Sequence, residues 1–398
     1  MDRPDHLSAD QLEAQLQRGA AQWARLAPLS PGQRLTLLRD TPAMHHWGLL
    51  RRALDASAQA GKMNPVEAVD IAHFAVALAD ALDPAVYGQP HLQDFRARSL
   101  TALGSAKRAA ADFRGAEQAF RAAWDTLATG TGDPYEKANL VCYESVLLRD
   151  LGDFEAAFSL LDGARTVYEE GGDDRLLAGV LVQQANSIGF VDPLRAVELA
   201  RRGLALLGAD LGNGGVSGVA GRKDGYFELS ARNALAYFLN EAGYPEEARQ
   251  IQETTRPLYA RFPGVAVQSR MRWLDGLIAR NLGDYRSAEH TLGELRTVLA
   301  AHNFDLELVL VSLDLAEILL WSRRHGEAAQ LIRETYPVLT AWGLEKDLLA
   351  LWVSLESCLR EQAEESTALM RDLAATLRRG WNRRRAAVSA GSAESAGS

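Results

Sequence analysis

The stretch Leu151–Tyr168, LGDFEAAFSLLDGARTVY, returns in altered form at Leu282–Leu299 as LGDYRSAEHTLGELRTVL. Both stretches have an opening Leu-Gly-Asp, then an aromatic residue, a central alanine and a closing Arg-Thr-Val. Such self-similarity indicates a repeat protein, in which each repeat buries its apolar face against its neighbours. The central alanine, Ala157 or Ala288, serves as an anchor for finding further copies.

Equivalent alanines recur along most of the chain, each a few residues after a loop or turn signal. The steps between successive anchors are 48, 41, 39, 52, 40 and 40 residues, so the period is about 40. The first long step contains a Pro- and Gly-bearing loop at 83–90, and the second contains a Gly-rich insert after Leu207. The anchors are Ala68, Ala116, Ala157, Ala196, Ala248, Ala288 and Ala328.

A small residue precedes six of the seven anchors by twelve positions. Antiparallel helices approach each other closely only where side chains are small, so that ridges pack into grooves. Apolar residues follow the anchors at helical spacing. Each module is therefore predicted to be a first helix, a short turn and a second helix. The residues twelve positions before the anchors are Ala56, Gly104, Ser145, Gln184, Ala236, Gly276 and Ala316.

Turn residues support these boundaries. Gly152 and Gly283 suit the end of a first helix, and Asp153 and Asp284 are placed to cap the second helix that follows. Four other turns place a capping side chain directly before a proline at the first helical position. These are Asn64-Pro65, Asp83-Pro84, Asp133-Pro134 and Asp192-Pro193.

The small residue followed twelve positions later by alanine resembles the tetratricopeptide repeat (TPR) family. Gly104 with Ala116 and Gly276 with Ala288 match the family's most characteristic pair. The resemblance covers about residues 43–345, but the period exceeds the family's usual length of about 34 and overlaps that of HEAT-type repeats. The early Trp and late Pro of the family's motif are mostly missing. The resemblance implies an all-α solenoid of about seven antiparallel helix pairs, a TPR-like superhelix with helical end caps.

The domain organisation follows from the repeats. Residues 1–42 are predicted to be N-terminal capping helices, and residues 43–345 the helix-pair array with a Gly-rich insert at 208–225. Residues 346–385 are predicted to be degenerate capping helices, because Ala368 continues the period while Glu356 occupies the small position. The Ala-, Ser- and Gly-rich tail at 386–398 is expected to be disordered.

No combination of reactive residues predicts catalysis. The insert Gly208–Gly225 has neither the GxxxxGK[ST] nor the GxGxxG spacing that cradles phosphates, so it is interpreted as a flexible loop. His45 and His46 are adjacent, and neighbouring helical residues point about 100° apart, which serves a single metal ion poorly. They are therefore interpreted as a solvated or partly packed pair. Cys142 and Cys358 lie in apolar surroundings far apart and are predicted to be inert thiols. We expect no enzyme activity, no cofactor and no metal.

Composition limits the partners and the compartment. The net charge of −9 argues against nucleic acid as the main partner of the whole surface. The two cysteines fit a reducing compartment, and no apolar run has the length of a signal peptide or membrane span. A cytoplasmic protein without membrane contact is predicted.

The segment Met370–Val388 is a local exception, with six Arg against one Asp. It is interpreted as a cationic last helical turn that suits the helix dipole and keeps the end of the chain in water. The alternatives are an anionic partner, nucleic acid included, or contact with the acidic array.

Four tryptophans lie close together in the sequence, at 273, 321, 342 and 352. Core packing is one interpretation of them, and a ligand-facing role of Trp273 and Trp321 is the other.

A stack of helix pairs without a reactive site is predicted to be a binding surface, whose concave groove contacts a peptide or protein segment. Arg and Asn recur at the groove-facing offsets of the first helices, and both donate hydrogen bonds to a peptide backbone or carboxylate. The competing interpretation is that these Arg and Asn residues have only structural roles within the helix stack. The densest set lies in the fifth and sixth modules, where we expect the main contact. The predicted partner-binding residues are Arg98, Arg108, Asn139, Arg149, Asn233, Tyr237, Asn240, Arg270, Trp273, Arg280 and Asn281.

The leading hypothesis from the sequence is a non-enzymatic adaptor or scaffold that holds a peptide or protein segment. The alternative is a regulator, associated with signalling or transcription, in which the array senses a peptide or other ligand.

Overall fold

The computed structural model describes residues 8–61, 64–189, 191–208, 225–302, 304–341 and seven positions between 352 and 377. Within these residues the regular structure is helical and no strand occurs, so the predicted all-α fold is confirmed. The described chain divides into two compact units. Unit 1 contains the residues up to Asp150 and Ser159–Glu170, and unit 2 contains Leu151–Phe158 and the residues from Gly171 onward.

Unit 1 consists of helices that pack on their neighbours in sequence order. Helix α3 contacts α4, α4 contacts α6, and α6 contacts α7. A single 3₁₀ turn, Pro42–Met44, precedes α3. The helices are α1 (Ala9–Leu26), α2 (Pro31–Asp40), α3 (Trp47–Ala60), α4 (Pro65–Asp80), α5 (Pro84–Tyr87), α6 (Gln89–Ala109), α7 (Phe113–Leu127) and α8 (Pro134–Asp150).

Helix α9 (Phe154–Glu170) has residues in both units. In unit 2 the same sequential packing runs without interruption from α10 to α17, as expected for an α-solenoid. The helices are α10 (Asp174–Ile188), α11 (Pro193–Leu206), α12 (Gly225–Glu241), α13 (Pro245–Tyr259), α14 (Val265–Asn281), α15 (Tyr285–Ala301), α16 (Asp305–Trp321) and α17 (His325–Ala341).

The anchor alanines form the seams of the helix pairs, because all seven are fully buried. A Cβ at Gly104 would lie 2.8 Å from the Phe120 ring, and a Cβ at Gly276 would lie 2.5 Å from Cδ2 of Leu292. Real Cβ atoms do not come this close, so alanine at either position would force the Phe120 ring or the Leu292 side chain to shift. The small-residue prediction is confirmed at these two positions.

The first module departs from the predicted register by one residue. Ala56 is only half-buried, whereas Ser57 is buried and its hydroxyl donates to the carbonyl of Ala68 at 2.9 Å. The hydroxyl forms this bond inside the seam, so a polar residue is tolerated there.

The predicted turns are confirmed. The side chains of Asp153 and Asp284 accept hydrogen bonds from backbone N–H groups in the first turns of α9 and α15, at 3.2 and 3.1 Å. Gly152 and Gly283 both have φ of 81°, the left-handed conformation that favours glycine. The side chains of Asn64, Asp83, Asp133 and Asp192 also accept bonds from backbone N–H groups two or three residues later.

The surroundings of Trp352 and Cys142 bear on two sequence-based expectations. Trp352 is buried in the core of unit 2, where its indole N–H lies 3.2 Å from the Ile332 carbonyl and 3.1 Å from the Thr335 hydroxyl. This supports core packing for that tryptophan. Burial raises the pKa of the Cys142 thiol to about 12, which keeps it protonated at neutral pH and agrees with the apolar surroundings expected from the sequence.

The interpretation of His46 as a solvated or partly packed residue is wrong. Its side chain is buried and caps α3, accepting a hydrogen bond at Nδ1 from the Leu49 N–H at 3.3 Å. The ring proton therefore lies on Nε2, which donates to Oε1 of Gln22 at 2.7 Å. The bond from Leu49 requires the neutral imidazole, because a protonated ring has no acceptor at Nδ1.

We expect unit 1 to lose stability in acid because of His46. Burial lowers the pKa of His46 from 6.5 to about 4. Between these values only the unfolded chain binds the proton, so stability falls as pH drops, by about 3 kcal/mol over the whole window. Denaturant titrations at pH 7, 6, 5 and 4 measure this slope. His46→Asn keeps a capping acceptor without a titrating ring, and it should flatten the slope; an unchanged slope would contradict the assignment.

In the described part of the chain, no helix combines the length and hydropathy needed to cross a bilayer. The Gly-rich insert, apart from its two ends, and most of the predicted C-terminal cap, basic segment and tail lie outside the described residues.

Candidate functional site

A cavity of about 320 Å³ lies in unit 1 between three first helices, α3, α6 and α8. Helix α6 forms its floor. Residues 98, 101, 102, 105, 108 and 109 of α6 line it at helical spacing, and the central ones are the small side chains Ala102 and Ser105. Arg98 and Arg108 stand at the two ends of this floor, about 15 Å apart along the helix axis.

Three of the predicted binding residues meet in this cavity, namely Arg98, Arg108 and Asn139. Arg51 and Tyr143 also line it, although neither is among the predicted binding residues. Tyr143 follows Asn139 by four residues on α8, so helical spacing from a residue already predicted would have indicated it.

The arginines of the cavity are held by carboxylates. Arg98 binds both oxygens of Glu136 on α8, with 3.2 Å between Nε and Oε2. Arg108 Nη1 lies 2.5 Å from Oδ2 of Asp150. These ion pairs join one first helix to the next, so they orient the guanidinium groups and stabilise the stack together.

Asn139 and Tyr143 have unused hydrogen-bonding groups at the cavity wall. Neither side chain forms a hydrogen bond with a described residue, and Tyr143 is 39% exposed. Desolvation by the surrounding protein raises the pKa of Tyr143, so its hydroxyl remains a donor at neutral pH. An Asn amide both donates and accepts, which matches the two groups of a peptide unit.

Arg149, in the last turn of α8, is half-buried and lies outside the cavity lining. The remaining predicted residues belong to unit 2, where they mostly join neighbouring helices. The indole N–H of Trp273 on α14 donates to Asp314 on α16 at 2.7 Å. Arg280 lies 3.3 Å from the same carboxylate and 2.9 Å from Glu317. Both side chains are thus bound to the first helix of the next module.

Asn240 cannot contact a partner, which corrects the prediction. Its side chain is 1% exposed, and its two polar atoms have no hydrogen-bond partner among the described residues. Asn240 has the same offset from its anchor as Arg108 and Arg280, but its short side chain ends inside the helix packing. The longer arginines extend past the packing to carboxylates.

The other unit 2 residues differ in accessibility. Asn281 is exposed and its amide donates to the Asn240 carbonyl at 3.2 Å. Asn233 donates to the Tyr259 hydroxyl at 2.5 Å, inside the packing of α12 on α13. Tyr237 is half-buried against Phe238. Arg270 is exposed and forms no ion pair with a residue that the structure describes.

No group of three or more His, Cys, Asp or Glu side chains placed to hold a metal ion occurs within the described ranges. The polar side chains that line the cavity include amide, hydroxyl and guanidinium groups.

No protein-family model and no curated protein matches the chain. Among solved structures, the chain is similar to NprR in complex with its cognate peptide NprX, with a TM-score of 0.51 and 14% identity. That match covers 81% of this chain and 98% of NprR. BtubC (BKLC) from P. vanneervenii matches with a TM-score of 0.44 and 17% identity, over 64% of this chain and 92% of BtubC. The NprR match supports the helical repeat fold.

Proposed function

We propose that this chain is a non-enzymatic helical repeat protein of the TPR type that binds a peptide or protein segment in the cavity of unit 1. The observation that carries the proposal is the pair Asn139 and Tyr143. Their polar groups have no described partner, yet they line a 320 Å³ cavity between two anchored arginines.

The chemistry of the cavity suits an extended peptide. The Asn139 amide pairs with one backbone peptide unit, and the Tyr143 hydroxyl donates to a carbonyl. The small residues of α6 leave room for the ligand backbone to lie along the helix. Because the cavity arginines are already paired with carboxylates, the site is close to neutral and favours polar amide contacts over a highly charged ligand.

The location differs from the fifth and sixth modules expected from the sequence. There, Trp273 and Arg280 already bind acidic side chains, and Asn240 is buried. The unit 1 cavity offers groups that a ligand satisfies without first breaking an ion pair.

The similarity to NprR, solved in complex with its cognate peptide NprX, supports a peptide ligand. It is also compatible with the alternative that this chain is a regulator. An adaptor holds its segment without changing, whereas a sensor changes conformation on binding. Hydrogen exchange of the full chain with and without a selected peptide separates the two. Protection limited to α3, α6 and α8 supports an adaptor, and changes that extend into unit 2 support a regulator.

The binding test uses a displayed library of random twelve-residue peptides, selected on the full chain. Selected peptides should lose at least about tenfold in affinity with Asn139→Ala combined with Tyr143→Ala, since two satisfied polar contacts are removed. Ser105→Phe, which fills the cavity, should remove binding as well. Isothermal titration calorimetry measures both effects.

Tyr336→Ala is the matched control, because Tyr336 is also 39% exposed but lies on α17 in unit 2. It should leave the affinity unchanged. Full-strength binding to both the double variant and Ser105→Phe would place the ligand elsewhere and reject the cavity.

A further inference from the structure

One edge of unit 2 carries exposed apolar side chains in four successive modules. They lie where a first helix ends and its second helix begins, and the first helices α10, α12, α14 and α16 contact one another in that order. Tyr285 and Trp321 form a ring pair with centroids 5.2 Å apart. We call this set the turn edge; it comprises Leu194, Tyr244, Tyr285 and Trp321, which are 58%, 52%, 38% and 40% exposed.

Tyr244 departs from the N-capping pattern of other second helices in this chain. It is the N-cap of α13 but makes no side-chain capping bond. The second helices α7, α11 and α15 begin instead with an aspartate, Asp112, Asp192 or Asp284, that accepts a bond from the backbone. Aspartate is among the best N-cap residues and large apolar residues are among the worst. At this turn the helix lacks a side-chain cap, and an exposed aromatic ring occupies the capping position.

Arg323, on the same edge, has a backbone conformation that other turns of this unit give to glycine. Its φ is 59°, in the left-handed region, whereas the corresponding turns use Gly243 and Gly283. Ala111, with φ of 63°, shows that this turn tolerates a Cβ, but arginine adds a long cation. The Arg323 side chain is exposed and forms no ion pair within the described part of the chain. Sites where local rules fail are where function is expected.

The spacing of the turn edge indicates its ligand. Tyr285 and Trp321 of two successive modules form one aromatic pair, and Tyr244 belongs to the module before them. Neighbouring packed helices lie about 8–10 Å apart, so Tyr244 is expected about that far from the pair. A polyproline II helix has three residues per turn and rises about 9 Å per turn, so every third residue meets the next module. Exposed aromatic rings are the groups that hold such segments.

We propose that the turn edge binds a proline-rich segment of a partner protein that carries an acidic residue beside its prolines. The prolines pack on Tyr244 and on the Tyr285–Trp321 pair, and the acidic residue pairs with Arg323. Tyr, Trp and Arg are also the residue types that dominate binding energy at interfaces. This surface shares no residue with the unit 1 cavity and does not depend on its ligand.

The test uses a fluorescein-labelled decaproline with aspartates at both ends, titrated with the full chain and followed by fluorescence anisotropy. We expect saturable binding that Trp321→Ala and Tyr244→Asp each weaken by at least about tenfold. Decaproline with lysines at both ends should bind more weakly than the aspartate form, and Arg323→Gly should remove that preference. Tyr336→Ala, of equal exposure in the same unit, should bind normally.

Two of these variants remain informative even if Trp321→Ala fails to fold. Tyr244→Asp restores a cap and Arg323→Gly relieves the left-handed residue, so both should raise the melting temperature, by about 2–4 °C, while they weaken binding. A chain that does not bind the aspartate peptide, or that binds it equally after Tyr244→Asp and Trp321→Ala, overturns the proposal. A dimer in sedimentation that Trp321→Ala converts to a monomer also overturns it, since the edge would then join two copies.

Discussion

Gly48→Ala is expected to lower the free energy of unfolding of unit 1 by about 3 kcal/mol or more, the upper range for overpacking. Helices α1 and α3 cross there with their backbones in contact. A Cβ at Gly48 would lie 2.0 Å from the Gln15 carbonyl oxygen, and a Cβ at Gly19 would lie 2.3 Å from the Gly48 carbonyl oxygen. No side-chain rotation relieves a collision with backbone, so the helices must separate and expose Trp23. Urea denaturation followed by circular dichroism measures the loss.

Gly163→Ala is the matched control. Gly163 lies inside α9, in the part that belongs to unit 1, and no atom is within 4 Å of its added Cβ. The substitution should stabilise by about 0.5–1 kcal/mol, because alanine loses less backbone entropy in a helix than glycine. Equal effects of the two substitutions would show that α1 and α3 do not cross as described.

Glu136→Ala is expected to cost about 3–5 kcal/mol, because it removes the carboxylate that binds both sides of a mostly buried guanidinium. The side chains of Glu136 and Arg98 are only 8% and 15% exposed. The exposed pair Glu246 and Arg249 provides the comparison, at 70% and 54% exposure. Glu246→Ala should change stability by less than about 1 kcal/mol. Chemical denaturation of both variants measures the difference.

Arg98→Met combined with Glu136→Leu separates structural from binding roles. Replacing both partners of a buried pair by apolar residues is often close to neutral, so the double variant should recover most of the lost stability. Any remaining loss of peptide affinity would then report a direct contact from Arg98. A single Glu136→Ala variant as stable as wild type would mean that the pair does not form.

The repeat period, the anchor alanines and the capping turns were readable from the sequence because each is decided locally. A helix N-terminus needs an acceptor within three residues, and Asp153 and Asp284 supply it wherever the chain folds. A helix seam needs a small side chain at each crossing, so the anchor alanines, Ala157 and Ala288 among them, recur about every 40 residues and are fully buried. These requirements depend on spacing along one or two helices, which the sequence displays directly.

The candidate site depended on contacts between modules, which spacing within a module does not reveal. Arg108, Asn240 and Arg280 share one offset, yet Arg108 lines a cavity, Arg280 binds two carboxylates on α16 and Asn240 is buried. Side-chain length and the residues on the next first helix decide among these outcomes. The sequence by itself determined the helices and their seams, because these follow from short-range geometry. Only the tertiary structure decided which polar groups remain available to a ligand, because each group's partner lies roughly forty residues away.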